Sequence, residues 1–167
     1  MKRLYLTSLE NWLSDARRKP LLVRGARQVG KSTLVRDFAA LKGLDLIEVN
    51  LERHPSLKTA FVSMDPALVL REIEIVSGKG KLNQPGRLLF IDEIQEIPEA
   101  IPCLRYFYEE VPELPVLAAG SLLEFVLRDH EFSMPVGRVE YLYMGPCSFF
   151  EYLVWAKADT LLDFLTQ

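Results

Sequence analysis

The sequence predicts an α/β fold, a parallel sheet with helices on both faces, and three observations predict it. Short apolar runs bounded by turn residues alternate along the chain with segments of helical apolar spacing. A glycine-bearing turn, Gly25 to Gly30, separates the first apolar run from the first long helical segment. The most apolar run, Leu88-Leu89-Phe90-Ile91, ends in a pair of carboxylates, Asp92-Glu93. Strand–helix–strand units close as right-handed crossovers, so their strands lie parallel and their helices cover the sheet.

Taken in order, Leu6, Leu9 and Leu13 fall at helical spacing in a segment from Leu4 that ends before Pro20, which predicts a short amphipathic helix. Leu21-Leu22-Val23, between Pro20 and Gly25, has the pattern of a buried parallel strand. Leu34, Phe38 and Leu41 at i, i+4 and i+7 predict a helix with one face on the sheet, stopped near Gly43. Leu46 to Asn50 reads as the second strand. Asp65-Pro66 is an N-cap followed by proline at the first helical position, opening a helix through Val76 that Gly78 closes. The turn-rich stretch from Gly78 to Gly86 is expected to be a mobile surface loop. Leu88 to Ile91 is the third strand, Pro98 to Glu110 a helix, Val116 to Ala119 the fourth strand and Val139 to Met144 the fifth.

The 167 residues, 49% hydrophobic and 26% charged, suit one soluble domain with a sizeable core. Apolar runs fall far short of the roughly 18 to 20 residues that cross a bilayer, so no membrane partner is expected and the chain reads as cytoplasmic. A net charge of −3 argues against a domain whose main work is neutralising nucleic-acid phosphates. The cluster Arg17-Arg18-Lys19 reads as a solvated helix end. Cys103 and Cys147 lack metal-ligand spacing and read as reduced thiols. From Ser148 onward the chain is dense in large apolar groups, among them Phe149, Phe150, Tyr152 and Trp155. Residues 148–167 are therefore expected to begin a C-terminal helical region of a longer protein, with residues 1–147 forming the core domain.

The motif GxxxxGK(S/T), which cradles phosphates, is met at Gly25, Gly30, Lys31 and Ser32, between a strand and a helix as its mechanism requires. Glycines let the backbone wrap the phosphates, its amides and the helix N-terminus point at negative charge, and Lys31 would neutralise the β and γ oxygens. Ser32 would place its hydroxyl on Mg²⁺. Asp92, at the C-terminal edge of a buried strand, suits a Mg²⁺ ligand, and Glu93 a base that polarises the attacking water.

At Gly25-Ala26-Arg27-Gln28-Val29-Gly30-Lys31-Ser32-Thr33 and Ile91-Asp92-Glu93-Ile94-Gln95 the sequence resembles the AAA+ superfamily, in particular bacterial and archaeal ATPases with GxRQVGKST and IDEIQ motifs. The resemblance extends through Ala119-Gly120-Ser121, Gly137-Arg138 and Pro146-Cys147-Ser148-Phe149-Phe150-Glu151. It implies a three-layer αβα P-loop NTPase fold with a parallel five-stranded sheet ordered 5-1-4-3-2, and ATP with Mg²⁺ as ligands. It also implies that Gly25 to Thr33 hold the nucleotide, with Thr33 on the α-phosphate side. Ser121 would be a sensor of the γ-phosphate or attacking water, and Asn50 a polar residue restraining the catalytic glutamate. Arg138, or secondarily Arg128, would be an arginine reaching a γ-phosphate in the same chain or in a neighbouring subunit of a homo-oligomer. A C-terminal region would supply the protein or nucleic-acid partner.

The function expected is ATP hydrolysis coupled to conformational change. Two alternatives stand beside it: a P-loop phosphotransferase, which would need an acceptor pocket, and a nucleotide-gated binding module with little turnover. GTP is disfavoured because no Asn/Thr-Lys-x-Asp motif is present.

Overall fold

The structure, a computed structural model, describes residues 4–121, 123 and 137–158. Helix α1 (Tyr5–Ser14) leads into β1 (Leu21–Arg24), α2 (Lys31–Lys42) and β2 (Asp45–Asn50). A 3₁₀ turn (Pro55–Leu57) and the short α3 (Lys58–Val62) precede α4 (Pro66–Ser77) and β3 (Arg87–Asp92). A second 3₁₀ turn (Ile94–Glu96), α5 (Ala100–Glu110), β4 (Val116–Gly120), β5 (Glu140–Tyr143) and α6 (Phe149–Ala156) complete the described elements.

The five strands form one sheet in the order β2-β3-β4-β1-β5, with every pairing parallel. This is the expected 5-1-4-3-2 order read from the other edge. β1 lies between β4 and β5, and β4 separates it from β3. The C-terminal ends of β1, β4 and β3, where crossover strands deliver ligand-binding loops, are therefore neighbours.

Alternation along the strands divides the core into two layers. Leu21 and Val23 of β1, Leu88 and Phe90 of β3, and Leu117 and Ala119 of β4 pack with Leu6, Leu9 and Trp12 of α1 and Leu34, Val35 and Phe38 of α2. Leu22, Ile47, Ile91 and Ala118 face the other way, onto Phe61 of α3, Ile73 of α4 and Leu104 and Phe107 of α5. Strands buried on both faces must be apolar throughout, which is why Leu88 to Ile91 shows no alternation in its sequence.

Helix ends follow the sequence closely. The Asp65 side chain accepts from the backbone amides of Ala67 and Leu68, Pro66 opens α4, and Gly78 ends it in the left-handed conformation. Two expectations need correction, and one helix was not foreseen. Leu41, expected on the buried face of α2, is 54% exposed. The buried apolar residues of α2 are Leu34, Val35, Phe38 and Ala39, and Leu41 falls about a quarter turn round the helix from the centre of that face. The stretch from Gly78 to Gly86 is anchored rather than free, since Leu82 is fully buried and its amide donates to Glu74 Oε1 at 2.7 Å. Finally, the segment between β2 and α4 holds α3, whose five residues lack a side-chain cap and so left no sequence signal.

The apolar segment after Ser148 begins with a capping box: Ser148 Oγ accepts from the Glu151 amide, and Glu151 Oε2 accepts from the Ser148 amide. Glu151 is buried, and its Oε1 also accepts from the Leu4 amide at 3.1 Å, which ties α6 to the start of α1. Phe149, Tyr152 and Trp155 are exposed.

Phe38 is fully buried between α2 and the sheet. Phe38→Ala is expected to lower stability by about 3–5 kcal/mol in urea unfolding; a loss below about 1 kcal/mol would contradict this packing.

Candidate functional site

Between β1 and α2 the chain turns through Gly25 (φ +153°), Gln28 (φ +63°) and Gly30 (φ +93°). At Gly25 the constraint is space as well as conformation, because a Cβ there would lie 2.1 Å from the carbonyl oxygen of Met144. Met144 follows β5, and its amide donates to the Arg24 carbonyl at 2.7 Å. The loop is thus pressed against the end of the neighbouring strand.

Gly30 caps α2 without a side chain, so no side-chain oxygen occupies the amides of the helix's first turn. Those amides and the positive end of the helix dipole form an anion-binding surface. The Lys31 ammonium is set across the loop by the carbonyls of Gly25 (3.0 Å) and Ala26 (2.8 Å). Burial pushes its pKa down, and the nearby Glu93 and Asp92 carboxylates oppose that shift.

Ser32, on the first turn of α2, donates to Asp92 Oδ2 at 2.8 Å. Asp92 ends β3 and is 6% exposed; its Oδ1 accepts from the Glu93 amide at 3.0 Å. Burial raises the Asp92 pKa, against the lowering effect of these two hydrogen bonds. Glu93 adopts the left-handed conformation (φ +50°, ψ +47°), which a non-glycine residue takes at some cost in energy. Its Oε2 accepts from Gln95 Nε2 at 2.6 Å.

Ser121, directly after β4, is buried, and its Oγ accepts from Arg27 Nε at 3.4 Å. Arg27, Gln28, Gly30, Lys31, Ser32, Thr33, Glu93 and Ser121 line one cleft of about 350 Å³.

Residues 17–153, most of the chain, match the AAA domain family. The chain belongs to that family. An AAA domain is a nucleotide-binding domain of the P-loop ATPase type, and the αβα sheet and the loop from Gly25 to Thr33 found here agree with it. Comparison with curated proteins gives no match.

Two candidates in this AAA domain stand apart from the cleft. Asn50 ends β2 beside Asp92 in the sheet register, but its Oδ1 accepts from the Arg53 amide at 3.2 Å and serves a turn. The Glu93 carboxylate accepts from Gln95 instead. Arg138 precedes β5, whose Tyr143 pairs with Arg24 at the loop end of the sheet. Five extended residues span about 16 Å, so Arg138 lies at the opposite edge from its own chain's phosphate loop. There it pairs with Glu109 of α5 at 2.8 Å. Arg128 lies outside the described residues.

Mg²⁺ is tested by the donor set. The Ser32 hydroxyl and Asp92 carboxylate oxygens are 2.8 Å apart, close to the roughly 3 Å between adjacent ligands of an octahedral Mg²⁺ with bonds of about 2.1 Å. Among the described residues no group of three or more His, Cys, Asp or Glu side chains forms a protein cage. One hydroxyl and one carboxylate suit a cation held mainly by phosphate oxygens and water.

Sequence reasoning left Gln95, Gly120 and Met144 without roles. Gln95 stood in view inside the IDEIQ motif. Contacts to Met144 and Gly120 depend on strand neighbours distant in sequence.

Gly25→Ala is expected to lower stability by about 3 kcal/mol or more and to weaken nucleotide binding at least tenfold, by urea unfolding and fluorescent-nucleotide titration. Gly78→Ala, where a Cβ meets nothing within 4 Å, is the control: it should cost only about 1–2 kcal/mol and leave binding unchanged.

Proposed function

We propose that this domain binds ATP with Mg²⁺ and hydrolyses it, converting nucleotide state into a change of conformation. The observation that carries the proposal is the 2.8 Å hydrogen bond from Ser32 to Asp92, which puts the phosphate loop and the acidic strand end in one cleft.

The loop amides from Gly25 to Thr33 would hold the polyphosphate, and Lys31 would leave its two carbonyl partners wholly or partly to meet the β and γ oxygens. Ser32 and Asp92 would hold Mg²⁺, which when bound neutralises charge developing on the β and γ oxygens. Glu93, which lines the cleft, would accept a hydrogen bond from a water and aim it at the γ-phosphorus. Ser121 and Arg27, joined by a hydrogen bond, would report on the γ-phosphate. Thr33, which follows the loop onto α2, would contact the α-phosphate side.

A trans role is the form of the Arg138 assignment that its position supports. Acting on a neighbouring subunit's phosphate would require it to release Glu109. A partner region beyond the AAA domain, protein-binding or nucleic-acid-binding, would use the conformational signal. Among the described residues no helix is long and apolar enough to cross a membrane.

Lys31→Ala is expected to weaken Mg-ATP binding at least about 100-fold by calorimetric titration. Glu93→Gln should keep wild-type affinity while turnover falls by a factor of about 10² or more, measured as phosphate release without an added acceptor. Unchanged turnover in Glu93→Gln would remove Glu93 as the base. Phosphate appearing only with an acceptor would favour a phosphotransferase.

A further inference from the structure

The turn after β3 holds a contact that the proposed chemistry does not yet use. Gln95 Nε2 donates to Glu93 Oε2 at 2.6 Å and lies 3.3 Å from Glu96 Oε1. The other end of the amide, Oε1, is buried and has no hydrogen-bond partner among the described residues. Reversing the amide would turn its oxygen onto the Glu93 carboxylate, two acceptors face to face, so the orientation with nitrogen toward Glu93 is the favoured one.

The unpartnered oxygen is lodged against the end of β4. A Cβ added to Gly120 would sit 2.6 Å from Gln95 Oε1, 3.0 Å from Leu123 Cγ and 3.1 Å from Ile94 Cγ2. Gly120 has no left-handed φ, so conformational freedom is not what demands a glycine. The demand is room for the side chains packed on it, and the glutamine oxygen makes the tightest approach. Leaving a buried carbonyl unsatisfied is costly and uncommon. Here it accompanies a short bond to a residue that itself holds a strained backbone conformation.

We propose that Gln95 is the positioning residue for Glu93: wedged on Gly120, its amide fixes the Glu93 carboxylate in the cleft and ties it to the strand end that carries Ser121. One carboxylate oxygen is occupied by the amide, and the second is left to receive the hydrogen bond of the attacking water. The 3₁₀ turn from Ile94 to Glu96 starts directly after Glu93 and carries Gln95, so the two side chains are set by one turn. Ser121 follows Gly120 directly and is bonded to Arg27 of the phosphate loop. Glu93 and the phosphate loop are thereby referenced to the same end of β4.

This inference rests on the reading of Glu93 as the hydrolytic base, and its test separates the two. Gln95→Met keeps the side chain's length and removes the donor. Turnover should fall about tenfold with the Kd for Mg-ATP unchanged, the pattern of a lost orienting contact. Gly120→Ala should reproduce that loss in the wild-type background and cost less in the Gln95→Met background, where the flexible thioether can move aside and only the contacts to Leu123 and Ile94 remain. The Gln95 side-chain NH₂ signals, followed by ¹⁵N NMR without nucleotide, should show slowed hydrogen exchange that Glu93→Ala abolishes. Wild-type turnover in Gln95→Met, or Gly120→Ala costing the same in both backgrounds, overturns the proposal. If the wild-type protein binds Mg-ATP but releases no phosphate, the hydrolytic reading fails. The NMR signals then decide the clamp alone: fast exchange in the wild type, or no response to Glu93→Ala, refutes it.

Discussion

The hydrogen bond between Ser32 and Asp92 joins residues sixty positions apart, and the site depends on it. Ser32 belongs to the first turn of the helix that follows β1, and Asp92 to the last residue of β3. β4 lies between those strands, so the two side chains meet only because the parallel crossovers bring all three strand ends to one edge. A slip of β3 by one residue would turn Asp92 to the other face and put Ile91 in its place. The register that packs Leu88 and Phe90 under α2 is therefore also the register that aims the carboxylate at the phosphate loop.

Burial gives this arrangement its electrostatic character. Lys31 and Asp92 are both drawn toward their neutral forms by desolvation, and partners placed by the fold oppose that pull on each. For Lys31 these are two loop carbonyls and the acidic pair; for Asp92 they are the Ser32 hydroxyl and the Glu93 amide. All of these groups are suited to exchange partners with a polyphosphate and its cation. Glycine appears where atoms must approach closely: Gly25 against the Met144 carbonyl, Gly120 against Gln95. The loop, the acidic turn and the end of β4 consequently constrain one another.

Much of this was legible in the sequence. The loop motif and the acidic strand end are contiguous stretches whose residue types state their chemistry, and the sheet order followed from the resemblance these motifs carry. The ends of α4 were readable because Asp65, Pro66 and Gly78 act through local hydrogen bonds and local φ. What was not legible depends on position in space. Leu41 satisfies the helical spacing yet is exposed, since the face that α2 buries is centred between Leu34, Val35, Phe38 and Ala39 and Leu41 lies at its margin. Arg138 and Asn50 had suitable neighbours in sequence, but the fold gives each another partner, Glu109 and the Arg53 amide. Gln95 was visible as a letter in a motif; its work becomes apparent only with Gly120 opposite it.

The most direct test of the account is a double-mutant cycle on Mg-ATP affinity with Ser32→Ala and Asp92→Asn, measured by calorimetry with Mg²⁺ and again with EDTA. If both residues hold the same cation, each single change weakens Mg-ATP binding about tenfold or more and the double variant is little worse than the poorer single, while all four proteins bind metal-free ATP alike. Losses that simply add, or that persist undiminished in EDTA, would show that Ser32 and Asp92 do not share a magnesium-bound nucleotide.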